Sequence, residues 1–297
     1  MVNDLILFCS KSNEEMNVKF KNGYAFITDT LSEIAVCSKA DLHLDGAIQF
    51  SQLKKMKGCL SENFAMILNK NKIELKTDNF EQHFKNNEFE ESPYFLKPEF
   101  AYSVSNDVMK FLKIACKFSN AEVCNHVICV DNFMACTDGG SVFIVKTPFK
   151  WDFRFSFPVE FAKKLVNVKD ELLNISINTV GIQFNFTEFC ASSSISHKFD
   201  YFNFDFLNEE FEKVDFKYNK KQLPLFLDLN SEGVLTFEEG FVKKGENIFK
   251  CEESNLECRL TSKDFKKMLP YFEEIEVSES FVKSETENYI CGIARCV

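Results

Sequence analysis

Three lysine pairs are the residues of this chain best placed to do chemistry. Lys54-Lys55, Lys163-Lys164 and Lys266-Lys267 each follow Leu or Phe by one or two residues and directly precede Met or Leu. They stand 109 and then 103 residues apart. A lysine ammonium is a mobile point charge with three donors and no fixed fork. That chemistry suits loose contact with phosphate better than the reading of base edges. A solvated face on an ordinary amphipathic helix would explain any one such pair. Five lysine-bearing segments shift the balance: Lys54, Lys55 and Lys57; Lys110, Lys113 and Lys117; Lys163, Lys164 and Lys169; Lys220 and Lys221; and Lys263, Lys266 and Lys267. The formal net charge is nevertheless -10, with acidic residues gathered at 88–91, 208–212 and 273–279. Segregation of this kind is what a basic lining on an acidic body produces.

Other chemistries find little footing. The chain has no G-x-S-x-G, H-E-x-x-H, G-x-x-x-x-G-K-[ST] or G-x-G-x-x-G. Asp29 and Asp138 occupy equivalent turns and read as turn-stabilising side chains rather than a carboxylate pair. His43, His83, His126 and His197 are scattered, with no nucleophile pattern nearby. An enzyme is therefore not expected. Twelve cysteines form no C-x-x-C, and with four histidines they give no zinc-ligand spacing. They read as small buried thiols in a reducing compartment, with no metal or cofactor expected. No apolar run approaches the roughly 18 residues of a membrane span, and the first residues lack the basic and apolar regions of a secretory signal. A cytoplasmic protein away from membranes is the expectation.

The elements that must position the lysines recur. Alternating runs at 16–20 and 24–29 flank Asn22-Gly23, a hairpin signal. A strand over 33–37 and the segment 47–50 lead to a helix with Ser51 as its cap and Leu53, Met56 and Leu60 on its apolar side. A second hairpin spans 64–76. The second unit opens with an amphipathic helix over 105–120, then strands over 127–130, 133–140 and 142–145. Pro158 then introduces a helix, and a hairpin covers 173–186. In the third, a helix over 219–228 is cut by Pro224, a strand covers 233–237, and Thr261 or Ser262 caps the last lysine helix. Stretches 86–98 and 208–215 read as connectors. Thr28-Asp29 precedes Lys54-Lys55 by 26 residues, and Thr137-Asp138 precedes Lys163-Lys164 by the same 26. Pattern, order and spacing together indicate an internal repeat. The expected domains are 1–96, 97–213 and 214–297.

At Thr137-Asp138-Gly139 the repeat resembles a DNA polymerase sliding clamp of the bacterial beta-subunit type. That family carries an Ala-Thr-Asp-Gly strand and turn, here Ala135-Cys136-Thr137-Asp138-Gly139, and then a Pro-x-x-Phe helix, here Pro158-Val159-Glu160-Phe161. Ser196-His197-Lys198-Phe199-Asp200-Tyr201 is similar to its next strand but lacks a proline. The ending Tyr289 to Val297 keeps the family's arginine at Arg295 without its proline and methionines. A phage-encoded member, acting in the host cytoplasm, fits the short length. The resemblance implies an α+β fold of three repeated clamp domains (the DNA clamp fold), with helices lining the inside of a ring and antiparallel sheets outside. It implies a processivity factor closing as a homodimer around duplex DNA, with DNA polymerase and clamp loader as partners. A non-ring accessory or binding module of the same fold is the alternative. Lys54, Lys55, Lys57, Lys110, Lys113, Lys117, Lys163, Lys164, Lys220, Lys221, Lys263, Lys266 and Lys267 would face DNA. A partner-peptide pocket would take its walls from Thr137, Gly139, Val142, Ile290, Ile293, Arg295 and Val297. Gly140 and Ser141 replace the family's His-Arg there. Domain order places subunit contacts near 80–84 and 281–283.

Overall fold

The computed structural model describes residues 5, 8–9, 16–29, 33–40, 45–55, 64–69, 72–77, 81–87, 99–120, 122–197 and 204–296. The chain folds into two compact units, one from residues 1–109 with 160–197 and the other from 110–159 with 198–297.

The first unit holds an eight-stranded antiparallel sheet. Its order is Gly46–Gln49, Asn17–Lys21, Tyr24–Asp29, Ile34–Lys39, Phe189–Ser194, Gly181–Phe186, Leu172–Ile177 and Phe100–Ser103. A three-stranded sheet of Phe64–Asn69, Lys72–Thr77 and Glu81–Lys85 accompanies it. Asn22 and Gly23 adopt positive φ, 52° and 81°, as a two-residue hairpin turn requires. The flanking strands pair Lys21 with Tyr24.

The second unit repeats the pattern. Its eight-stranded sheet runs Phe155–Pro158, His126–Val130, Phe133–Thr137, Ser141–Lys146, Tyr289–Ala294, Phe281–Glu285, Ile275–Val277 and Glu212–Val214. A four-stranded sheet runs Asn247–Lys250, Phe241–Lys244, Val234–Glu238 and Cys258–Thr261. Three times, then, four strands stand in the spatial order 4-1-2-3, with the fourth returning beside the first. Each fourth strand runs directly into a lysine helix. In the first two copies the 26-residue offset runs from the end of the second strand, through the third and fourth, to the lysine pair.

The helices are α1 (Phe50–Lys55), α2 (Asn106–Ala115), α3 (Val159–Leu165), α4 (Gln222–Leu229) and α5 (Ser262–Met268). Three differ from the sequence reading. Ser51 lies inside α1, which begins at Phe50. The helix expected over 105–120 tightens to a 3-10 turn at Cys116–Phe118, burying both of those residues. In α4, Pro224 sits within the first turn, where its missing N–H has no intrahelical partner to lose, so the helix starts at Gln222. The stretch 208–215 is more than a connector: Glu212–Val214 pairs with Ile275–Val277 at the sheet edge. Most of the connector at 86–98 lies outside the described residues.

Phenylalanine builds the cores. Phe20, Phe50, Phe161 and Phe184 are fully buried in the first unit, and Phe118, Phe143, Phe237 and Phe265 in the second. Burying each such side chain stabilises by roughly 1.5–3 kcal/mol. Phe143 stacks between Phe118 at 5.4 Å and Tyr289 at 5.0 Å, locking the central strands of the second sheet.

Candidate nucleic-acid interface and partner face

Each lysine helix buries an apolar stripe and leaves its lysines outside. Phe50 and Leu53 anchor α1, with Lys54 half-buried and Lys55 exposed. In α3, Phe161, Ala162 and Leu165 are buried while Lys163 is exposed. Lys163 lies 2.8 Å from Glu160, and the Lys164 ammonium lies 5.7 Å from the centroid of the Phe8 ring. On α2, Val108, Leu112 and Ala115 face inward and Lys110 and Lys113 outward, with Lys117 exposed on the following turn. Lys220 and Lys221 are exposed but stand before α4 rather than on it; Asn219 Oδ1 accepts the Lys221 N–H at 3.0 Å. In α5, Lys263 is exposed, and Lys266 is exposed and paired with Asp228. Exposed pairs of this kind contribute little and break readily for a competing phosphate. Lys57 lies outside the described residues.

Lys267 differs. It points inward, 2.5 Å from Asp138 Oδ2 and 4.2 Å over the Phe118 ring, so its charge is balanced within the protein. Asp138 also accepts the Ser141 N–H and hydroxyl, each at 2.8 Å. Burial pushes its carboxyl up, but Lys267 and Ser141 outweigh burial and hold it below the ordinary range. The turn-stabilising role read for Asp138 is present, extended by a tie to α5 that local sequence could not show. Gly140 has a steric reason: a Cβ there would stand 2.5 Å from Asp264 Oδ2.

Of the residues expected to wall a partner pocket, Thr137, Val142, Ile290 and Ile293 share one sheet. Val142 pairs with Thr137 on one side and Gly292 on the other, and Ile144 pairs with Ile290. Val142 and Ile290 join Ala135 and Ile144 in one buried cluster. Alternation puts Ile293 on the opposite face, fully buried. Thr137 is buried, donating to Ser141 O at 2.8 Å. Gly139 holds φ at 95°, exposed at the hairpin tip. Arg295 donates from Nη1 to Ser278 O at 2.7 Å and from Nη2 to Glu257 O at 3.4 Å, a structural use of the guanidinium. Val297 lies outside the described residues. Sequence reading missed the aromatic cover of this face: Phe133, Phe204, Phe206, Leu207 and Phe281 pack over the cluster. The signal was Gly292, a lone glycine within an apolar strand, which marks close approach of another group.

Elsewhere, Glu74, Glu81 and His83 bring ligating atoms within 4.8 Å of one another. The Lys76 ammonium lies 3.3 Å from Glu74 and 3.5 Å from Glu81, making this a surface ion-pair network. Burial pushes the Cys251 thiol up to about 11 and the Cys258 thiol up to about 12, far from a reactive thiolate. No helix among the described residues is long and apolar enough to cross a membrane.

Solved structures match this architecture along its whole length. The Helicobacter pylori beta clamp bound to a DNA ligase peptide superposes with a TM-score of 0.77 at 12% identity, covering 100% of this chain and 96% of that one. The DnaN sliding clamp (DNA polymerase III subunit beta) of Pseudomonas aeruginosa gives 0.76 at 10%, covering 100% and 97%. The DNA polymerase sliding clamp of Bacillus subtilis gives 0.74 at 14%, covering 100% and 96%. No family model and no curated protein matches the sequence. The fold is therefore that of the bacterial beta sliding clamp, reached here with a sequence that shares little beyond its pattern.

Proposed function

We propose that this protein is a DNA sliding clamp, a non-enzymatic processivity factor that encircles duplex DNA and tethers a polymerase. The observation that carries the reading is the thrice-repeated strand order ending in a lysine helix, on a full-length clamp fold. On this reading the chain divides into clamp domains at 1–96, 97–213 and 214–297, the second boundary falling within the strand Glu212–Val214. Lysines on α1, α2, α3 and α5, with Lys220 and Lys221, supply a sequence-independent attraction to phosphate that salt screens. Contacts this loose permit sliding, while tethering raises the local concentration of polymerase at the primer end. A clamp loader and cytoplasmic action belong to the same reading.

Closure needs a second copy. Among the described residues, Glu81–Lys85 is an edge strand with one open side in the first unit, and Asn247–Lys250 is one in the second. Beside the latter, Ile248, Leu225 and Leu229 are exposed, Leu229 at 86%. Unpaired backbone and apolar side chains together suit strand addition between copies. Phe281–Glu285, by contrast, is paired on both sides within its sheet, so 281–283 is no edge.

Native mass measurement and retention on DNA test the proposal together. A dimer held on closed circular DNA and released when the circle is cut is the expected result. A strict monomer, released equally from both, would favour the accessory module that never closes. Lys163→Glu with Lys164→Glu is expected to weaken DNA association at least tenfold at low salt without altering thermal unfolding. Unchanged binding would remove α3 from the interface.

A further inference from the structure

The first sheet carries two thiols in contact on one face. Cys37 on Ile34–Lys39 and Cys190 on Phe189–Ser194 stand directly opposite each other in antiparallel register. The Lys39 N–H donates to Glu188 O at 2.9 Å and the Ser194 N–H to Glu33 O at 3.2 Å, so the ladder is closed on both sides of the pair. Counting by twos along that ladder makes Cys37 and Cys190 a hydrogen-bonded pair. Cα atoms in such a pair lie about 5.5 Å apart, a separation that disulfides commonly span. Alternation puts both side chains on the same face, with Val36, Ser38, Phe189 and Ala191 buried on the other.

The pair is also reachable. Among the described cysteines, Cys37, Cys190 and Cys296 are half-buried and the others are buried. Next along the same face is the ion pair of Lys39 and Glu188 at 3.2 Å, both side chains exposed, which marks the solvent side. The two sulfurs are unequal. The hydrogen bond to Cys190 pushes the Cys37 thiol well up, and burial adds to this. The same bond, received by Cys190, outweighs burial and holds the Cys190 thiol below its ordinary value. An acidified thiol beside one that keeps its proton is the arrangement of an attacking and a resolving cysteine.

We propose that Cys37 and Cys190 form a reversible dithiol–disulfide switch, oxidised by a peroxide and reduced again by a small thiol. Cys190, as thiolate, attacks one oxygen of hydrogen peroxide. An S–O bond forms, the O–O bond breaks, and the hydroxide that leaves takes up the proton Cys190 shed. The Cys37 sulfur then displaces the oxygen from Cys190. The S–S bond forms, the S–O bond breaks, and the second hydroxide leaves with the Cys37 proton as water. The two sulfurs lose two electrons, and the peroxide becomes two waters. Glutathione reverses the step through a mixed disulfide, two of its thiols supplying the two electrons and becoming one disulfide. The link falls in the middle of the eight-stranded sheet, where strands from residues 17–49 meet strands from 100–194. It encloses the 149-residue separation of Lys39 and Glu188, and cross-links that close long loops constrain the unfolded chain most. Oxidation therefore staples this seam and reduction frees it, independently of the clamp reading.

Full-length protein, reduced and then given stoichiometric hydrogen peroxide, is mapped by non-reducing peptide mass spectrometry and followed by thermal unfolding. The expected result is a linked Cys37–Cys190 peptide as the main product, with the unfolding midpoint raised by about 5 °C or more and restored by glutathione. In Cys37→Ser, a sulfenic acid is expected to persist at Cys190 and to be trapped by dimedone about tenfold faster than at Cys296. Oxidation spread over all three half-buried cysteines, with no linked peptide in wild type, would overturn the switch. A linked peptide with an unmoved midpoint would overturn the staple. Trapping of Cys37 in Cys190→Ser as fast as of Cys190 in Cys37→Ser would overturn the division into attacking and resolving thiols.

Discussion

Asp138 and Lys267 show how one pair decides both a turn and a long-range tie. The carboxylate caps the 138–141 turn through Ser141 and meets the α5 ammonium across 129 residues of chain. Removing one partner of such a half-buried pair costs about 1–3 kcal/mol. Asp138→Asn is expected to lose that much at neutral pH, measured by denaturant unfolding. A carboxylate held below its unfolded value contributes stability that is present above that value and lost as pH falls through the folded one. The margin of wild type over Asp138→Asn should therefore narrow between about pH 5 and pH 2, around the unfolded carboxyl near 4. A margin constant across that range would show that the charge takes no part. The turn itself was legible, because Thr-Asp-Gly between alternating runs is local chemistry. The ammonium partner was not, since Lys267 reads like any lysine of an amphipathic helix until α5 is placed against the hairpin.

The lysine helices are short, and their ends matter accordingly. Thr261 caps α5, its hydroxyl oxygen accepting the Asp264 N–H at 3.1 Å. Thr261→Ala is expected to destabilise by about 1 kcal/mol, seen as a lower unfolding midpoint with little change in DNA binding. This cap was readable because a Thr-Ser step before an apolar period is a local start signal. The start of α1 was misplaced by two residues, since the fourth strand runs directly into a helix that begins at Phe50, which makes Ser51 helical and not its cap. Glu212–Val214 hid among charged residues because edge strands need only one paired side, and charge there discourages further pairing.

For the molecule as a whole, the expected assembly turns on two edge strands, each with one open side among the described residues, and a few exposed apolar side chains. Leu229→Asp with Ile248→Asp places charge where a second copy would cover apolar surface. The expected outcome is a monomer in native mass measurement at concentrations where wild type is expected to be dimeric, with folding retained. A dimer that persists would move the interface elsewhere. DNA affinity should also fall linearly in log-log with salt, at a slope of roughly 0.9 per phosphate contact. The repeat, the α+β class and the helices that show lysine to solvent were all written in the sequence, because periodicity, turn residues and motif spacing are local properties. Which lysines stay outside and which one turns inward was decided by tertiary structure alone. So was the aromatic cover over Gly292. Both depend on segments more than 70 residues apart in the chain being brought together, and contact at that range leaves no periodic trace in the chain. The pair at 266–267 divides on this point: Lys266 lies exposed beside Asp228, and Lys267 closes on Asp138.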